Sequence, residues 1–271
     1  MAARIVHTVS KNRDSMLSAF FNWSGGKDSA LALYHVRQSR EWDVQKLLTT
    51  VTEDFQRVSM HGVREELLEG QADSMGIPLV KCRLPDAASM QLYDTRMMEV
   101  LARFKTEGIE TSLFGDIFLE DLRAYREQKL AQSGIRAAFP LWKRNTRELI
   151  HEFVDLGFKA IIVCVNERRL DKSFAGRFID LDFIKDYPEP ADICGENGEY
   201  HSFVFEGPIF NQPIAFEVGE TVYRDYTPPQ AKDDEGCPSS ALPGWDTGFW
   251  YTDLLPISSA PEIDKGKRES Q

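Results

Sequence analysis

The chain predicts an α/β protein, a parallel sheet with helices on both faces followed by a smaller C-terminal α+β region. Three observations carry this expectation. Apolar runs of strand length alternate with helix-period segments from Ala19 to Val165, the rhythm of a parallel sheet joined by helical crossovers. Ala160–Val165 is apolar almost without interruption, as a strand covered on both faces requires. The first apolar run breaks into Ser24-Gly25-Gly26-Lys27-Asp28-Ser29 and resumes as a helix.

The elements follow in order. Residues 1–16 read as a leader before a strand that ends near Trp23. The helix opening at Asp28 carries Leu31, Leu33 and Tyr34 and loses its pattern by Arg37–Arg40. Val44–Val51 is a second strand, and Val63, Leu67, Leu68 and Met75 share one helical side. Gly76-Ile77-Pro78 stops that helix ahead of a strand over Leu79–Leu84. Tyr93, Met97, Leu101 and Phe104 define a long helix ended by Gly108. Thr111–Phe114 is a buried strand that presents Asp116 at its C-terminal end. A helix over 119–132 with Arg123 and Arg126, a strand over Ala137–Leu141 and a helix with Leu149, Ile150, Phe153 and Leu156 lead to Ala160–Val165. The parallel-sheet domain is therefore assigned to residues 17–170 and a substrate-binding region to 171–227. That region holds a helical stretch through Ile184 and β-like segments near Phe203–Phe205 and Ala215–Val218. Residues 228–271 read as an extended tail, a loop over 228–244 with the last dozen disordered, pinned by Phe249-Trp250-Tyr251.

Composition bounds the partners. With 271 residues, 42% of them apolar and 28% charged, the chain suits one sizeable core. A net charge of −11 argues against a broad nucleic-acid or anionic-membrane surface. Cys82, Cys164, Cys194 and Cys237 form no C-x-x-C pair and suit reduced thiols, and no apolar run reaches membrane-spanning length. A cytoplasmic protein is expected. A homodimer is compatible with this composition.

The Ser24 loop has the chemistry of a phosphate cradle. Gly25 and Gly26 allow a tight turn and close approach to a ligand, and the first helical amides favour an anion. Lys27 adds positive charge, and Ser24 and Ser29 add hydroxyl donors. Phe21 stands where Walker A needs glycine, and adjacent Gly25 and Gly26 exclude the G-x-G-x-x-G dinucleotide pattern. Ligands of open α/β sheets sit beyond the carboxyl ends of the strands. The Ser24 loop and Asp116 both lie there, which places them in one crevice.

Ser24-Gly25-Gly26-Lys27-Asp28-Ser29 between strand and helix resembles the PP-loop of the N-type ATP pyrophosphatases. A second motif, Gly195-Glu196-Asn197-Gly198-Glu199, reads in isolation as a solvated Asn-Gly turn. Together with Met60-His61-Gly62, Phe114-Gly115-Asp116-Ile117, Pro140-Leu141-Trp142 and Cys194 to His201, the two motifs resemble the diphthine–ammonia ligase family. The resemblance spans about Leu17 to Phe210. It implies a Rossmann-like PP-loop fold and a two-step reaction in which an acceptor carboxylate attacks the α-phosphorus of ATP, releasing pyrophosphate, before ammonia displaces AMP. It also implies ATP and Mg²⁺ as cofactors, with Lys27, Asp28 and Asp116 catalytic and Ser24 to Ser29 plus His61 on the nucleotide. Asp116 is the candidate Mg²⁺ contact, through water. Gly195, Glu196, Asn197, Gly198 and Glu199 fall to the acceptor side, because carboxylates beside phosphates repel them while a cation such as the trimethylammonium of diphthine suits them. A diphthine-like protein side chain or a cationic small molecule is the expected acceptor. A PP-loop enzyme acting on another small molecule or on tRNA, and a non-catalytic adenine-nucleotide binder, remain as alternatives.

Overall fold

The computed structural model describes residues 16–53, 57–58, 62–85, 88–226 and 247–257. The expected leader up to Ser15, His61, the loop over 228–244 and the last dozen residues lie outside the described residues. In chain order the first half runs β1 (Leu17–Asn22), α1 (Lys27–Ser39), β2 (Trp42–Thr52), β3 (Arg57–Val58), α2 (Glu65–Met75), β4 (Leu79–Leu84), α3 (Met90–Thr106), β5 (Thr111–Leu113), α4 (Glu120–Gln132) and β6 (Arg136–Ala138). β1 pairs in parallel with β2 and β5, β2 with β4, and β5 with β6. The short β3 lies antiparallel against the end of β2.

Both faces of this sheet are apolar because successive strand residues point to opposite sides. Phe20 and Leu48 pack with Cys82, Leu101, Phe104 and Leu130, which puts α3 and α4 on one face. Their neighbours Ala19, Phe21 and Leu47 pack with Leu33, Leu67 and Leu68, which puts α1 and α2 on the other. The doubly covered parallel sheet of the sequence reading is thus present.

The second half holds α5 (Thr146–Asp155), β7 (Lys159–Asn166), α6 (Leu181–Asp186), β8 (Tyr200–Glu206), β9 (Phe216–Tyr226) and β10 (Thr247–Pro256). These strands form a separate antiparallel sheet in the order β8–β7–β10–β9. Two expectations change here. β7, read as the last strand of the parallel sheet, pairs antiparallel with β8 and β10 instead. Its residues from Ala160 to Asn166 are all buried, and a strand covered on both faces looks alike in either kind of sheet. The second is the manner in which the tail is pinned: Phe249, Trp250 and Tyr251 do hold it, as residues of the strand β10 that pair with Asn166, Val165 and Cys164 of β7. Arg64 also binds Asp253 through two hydrogen bonds of 3.2 and 2.7 Å, tying the start of α2 to β10. No described helix is long and apolar enough to cross a membrane.

The two sheets meet at the Ser24 loop. Val204 of β8 donates its amide to the Gly25 carbonyl at 2.9 Å. Gln71, wholly buried on α2, accepts from Trp23 Nε1 at 2.8 Å and donates to the carbonyls of Gly25 and Val204 at 3.0 and 2.6 Å. One side-chain amide therefore bonds to Trp23 just past β1, to the loop and to β8. A leucine of similar size would leave the Trp23 indole N–H without its partner and take a donor from the Gly25 and Val204 carbonyls. Gln71→Leu is expected to destabilise the fold by about 2–4 kcal/mol, the cost of buried polar groups without partners, measured by denaturant unfolding.

Candidate active site

The loop begins where β1 runs out. Trp23 still bonds to the sheet through Leu48 O at 2.7 Å, after which Gly25 takes φ +80° and turns the chain into α1. The helix starts at Lys27 behind Gly26, which as the capping residue has no side chain to offer its first amides. Ser24 and Ser29 share a hydroxyl–hydroxyl bond of 2.8 Å across the turn. A second segment closes on the same turn. A Cβ at Gly115 would lie 2.9 Å from the Asp28 carbonyl carbon and the Ser29 nitrogen, so the glycine is what lets the end of β5 rest against the start of α1.

Lys27 is the centre of the arrangement. It is 3% exposed, and its ammonium donates to both carboxylate oxygens of Asp28 at 2.7 Å and to the Cys194 carbonyl. Its Nζ lies 5.3 Å from the centroid of the Tyr200 ring. Its backbone amide donates to Ser202 Oγ at 3.2 Å. Burial alone would pull its pKa down, but Asp28 and Glu196 overcome that and hold it above its ordinary value.

Acidic groups surround this cation. Burial pushes the Asp28 carboxyl above its ordinary value against the pull of Lys27. Burial likewise raises Asp116, which forms an ion pair with Arg126. Glu196 accepts from the Ile117 amide at 2.8 Å, and burial, then Asp28, with a smaller push from Asp116, carries its pKa up to about 7. The Ser24 loop, Asp116 and the second motif therefore share one site, as their places at strand ends and after β7 could not show separately.

The second motif divides its labour. Glu199 is 1% exposed, and its carboxylate accepts the amides of Asp192 at 3.2 Å and Asn197 at 3.0 Å. Gly195 and Gly198 take φ of +72° and +82°, where a side chain would be strained. Asp192 closes the turn by accepting from the Glu196 amide at 2.9 Å. Glu199 thus faces inward and builds the loop, while Glu196 faces Lys27 and Ile117. Asn197 is exposed at the tip of the turn.

Asp116, the expected water-mediated Mg²⁺ contact, forms an ion pair with the guanidinium of Arg126 on α4. Among the described residues, no group of three His, Cys, Asp or Glu side chains is arranged to hold a metal ion. In the fold Arg126 lies 4.5 Å from the Phe114 ring centroid, and Arg123 lies 4.9 and 4.6 Å from those of Phe139 and Trp142. Ser202 and Gln71 were missed altogether, since a lone serine on a strand and a glutamine on a helix carry no pattern.

The description "Diphthamide synthase N-terminal domain" matches residues 16–137, and "Diphthamide synthase C-terminal domain" matches 145–227. The chain belongs to the diphthamide synthase family. The two matches cover both halves of the site, from the Ser24 loop to Glu199. Diphthine–ammonia ligase of Danio rerio is 24% identical over 236 residues, 81% of this chain and 88% of that one. The Bos taurus enzyme of the same name is 26% identical over 162 residues, 57% of this chain and 58% of that one. Among solved structures, a U34-tRNA thiolase from Methanococcus maripaludis matches 54% of this chain and 60% of its own at 14% identity, with a TM-score of 0.34.

The inward position of Glu199 in this diphthamide synthase family site is testable. Glu199→Ala is expected to cost about 1.5–3 kcal/mol, because a buried carboxylate would no longer cap two amides. Hydrogen exchange should accelerate at the Asp192 and Asn197 amides in that variant. Glu196→Ala should leave those two amides protected.

Proposed function

We propose that this chain is a ligase that amidates diphthine with ammonia at the expense of ATP, forming AMP and pyrophosphate. The observation that carries the reading is the meeting of the Ser24 loop and the Gly195–Glu199 loop on Lys27, through the Cys194 carbonyl and Asp28, in a chain of this family. The Ser24-to-Ser29 loop receives the polyphosphate through the helix N-terminus, the two hydroxyls and the Lys27 ammonium. His61, just before α2, is the further candidate for nucleotide contact.

The chemistry follows from charge. The acceptor carboxylate and the α-phosphate repel each other, so their approach needs fixed positive charge near the reacting oxygens. Lys27 supplies it on one side. Arg126, held against Phe114 and beside Asp116, supplies it on the other. Asp28 orients Lys27, and Asp116 orients Arg126. Mg²⁺ enters as the companion ion of ATP, neutralising phosphate charge; the described residues offer no built cage for it, and the chain's own contribution rests on the groups above. The acidic side of the pocket, toward Glu196, suits an acceptor that carries a trimethylammonium next to its carboxylate.

The expected products are AMP and pyrophosphate in equal amounts, formed only when the acceptor is present. Chromatography of labelled nucleotide after incubation with ATP, ammonium and diphthine-bearing acceptor checks this. ADP with inorganic phosphate as the stoichiometric products would overturn the reading. Lys27→Ala should abolish both products.

A further inference from the structure

The amide-forming step has a requirement that the loop and Lys27 do not meet. Ammonia that attacks an acyl-adenylate carries a proton it must lose, and a positioned base of suitable pKa speeds that loss. Lys27 is a protonated donor, Asp28 is engaged by Lys27, Asp116 by Arg126, and Glu199 by its own loop. Glu196 differs from all of them. Its Oε1 is fixed by the Ile117 amide at 2.8 Å, while its Oε2 accepts no hydrogen bond from the described residues. The backbone behind it is held by Asp192 at 2.9 Å. One oxygen pinned and one free is the geometry of a base with a set direction.

We propose that Glu196 is the general base of the ammonia step, taking the proton from the nitrogen as it bonds to the acyl carbon. This rests on the amide-ligase reading above and gives Glu196 the nucleophile, with the acceptor cation lying beyond it. In the step, the nitrogen lone pair forms the C–N bond and the carbonyl π electrons move onto oxygen. An N–H proton passes to the free Glu196 oxygen, the carbonyl re-forms, and the C–O bond to AMP breaks with its electron pair leaving on AMP. Glu196 then returns the proton to water, so one ammonia and one acyl-adenylate give one amide, AMP and one proton.

The surroundings set when this base is available. Lys27 and Asp28 face it from α1, Asp116 from the segment after β5, and Asp192 from its own loop. Their balance, with burial as the largest cause, leaves Glu196 titrating at about 7, close to the optimum for a base working near neutral pH. Protonation below that value removes the base. At a fixed concentration of free ammonia, amide formation should therefore fall as pH drops through the neutral range.

The decisive experiment separates the two half-reactions in the full-length protein with ATP and acceptor. At saturating acceptor, amide formation from ammonia in Glu196→Gln should fall about 100-fold or more relative to acceptor-dependent ATP–pyrophosphate exchange in the same variant. Hydroxylamine, largely unprotonated at neutral pH and able to shed its proton to water once bonded, should give hydroxamate in Glu196→Gln at a rate that follows exchange and not the ammonia reaction. Glu196→Asp should recover part of the ammonia reaction. The proposal is overturned if Glu196→Gln retains the ammonia reaction, or if hydroxamate formation or exchange falls as far as amide formation. Should the variant fail to fold, the wild-type pH profile at fixed free ammonia decides, a flat profile across neutrality counting against Glu196. If wild type itself shows no exchange and no AMP, it is the ligase reading that fails.

Discussion

A single buried ammonium holds the site together. Lys27 is nearly inaccessible to water, and an ammonium removed from water is unfavourable unless oppositely charged or dipolar groups replace the lost hydration. Asp28 and the Cys194 carbonyl do so here, and each belongs to a different part of the chain. The backbone amide of the same residue is held by Ser202 on β8. Helix α1, the loop before β8 and β8 itself are thus fixed relative to one another by one residue. In the proposed reaction, polyphosphate entering the loop would compete with Asp28 and the Cys194 carbonyl for that cation, so that occupancy of the loop would bear directly on the segment that carries Glu196.

A second layer of fixed charge lies beside the first. Phe114, Phe139 and Trp142 form an aromatic ledge at the ends of β5 and β6, with Arg126 over the first ring and Arg123 over the other two. Stacked guanidinium groups keep their charge and their direction. In a chain with a net charge of −11, Arg123 and Arg126 thus stand together beside the ends of β5 and β6.

Much of the fold was legible because its signals are local. The strands β1, β2, β4 and β5 announce themselves as short apolar runs, and Gly76, Gly108 and Gly157 mark helix ends where the backbone takes positive φ. The partner of a strand is not local. Ala160–Val165 reads the same whether its neighbours run parallel or antiparallel, and only the antiparallel pairing with β8 and β10 decides it. At the site, Lys27, Asp28, Asp116 and Glu196 were visible as residue types in motifs. The burial of Lys27, the inward turn of Glu199 and the pairing of Asp116 with Arg126 depend on segments up to 167 residues apart, which no window of sequence contains.

The place of β10 in the second sheet orders the birth of the protein. β10 lies between β7 and β9, although both precede it in the chain. While the polypeptide leaves the ribosome, every strand of the parallel sheet is available before β9 has been made, whereas β9 finds its sheet partner only when residues 247–256 emerge. The β7–β8 pair that carries Ser202 must therefore wait with the β7 edge open until residues 247–256 emerge.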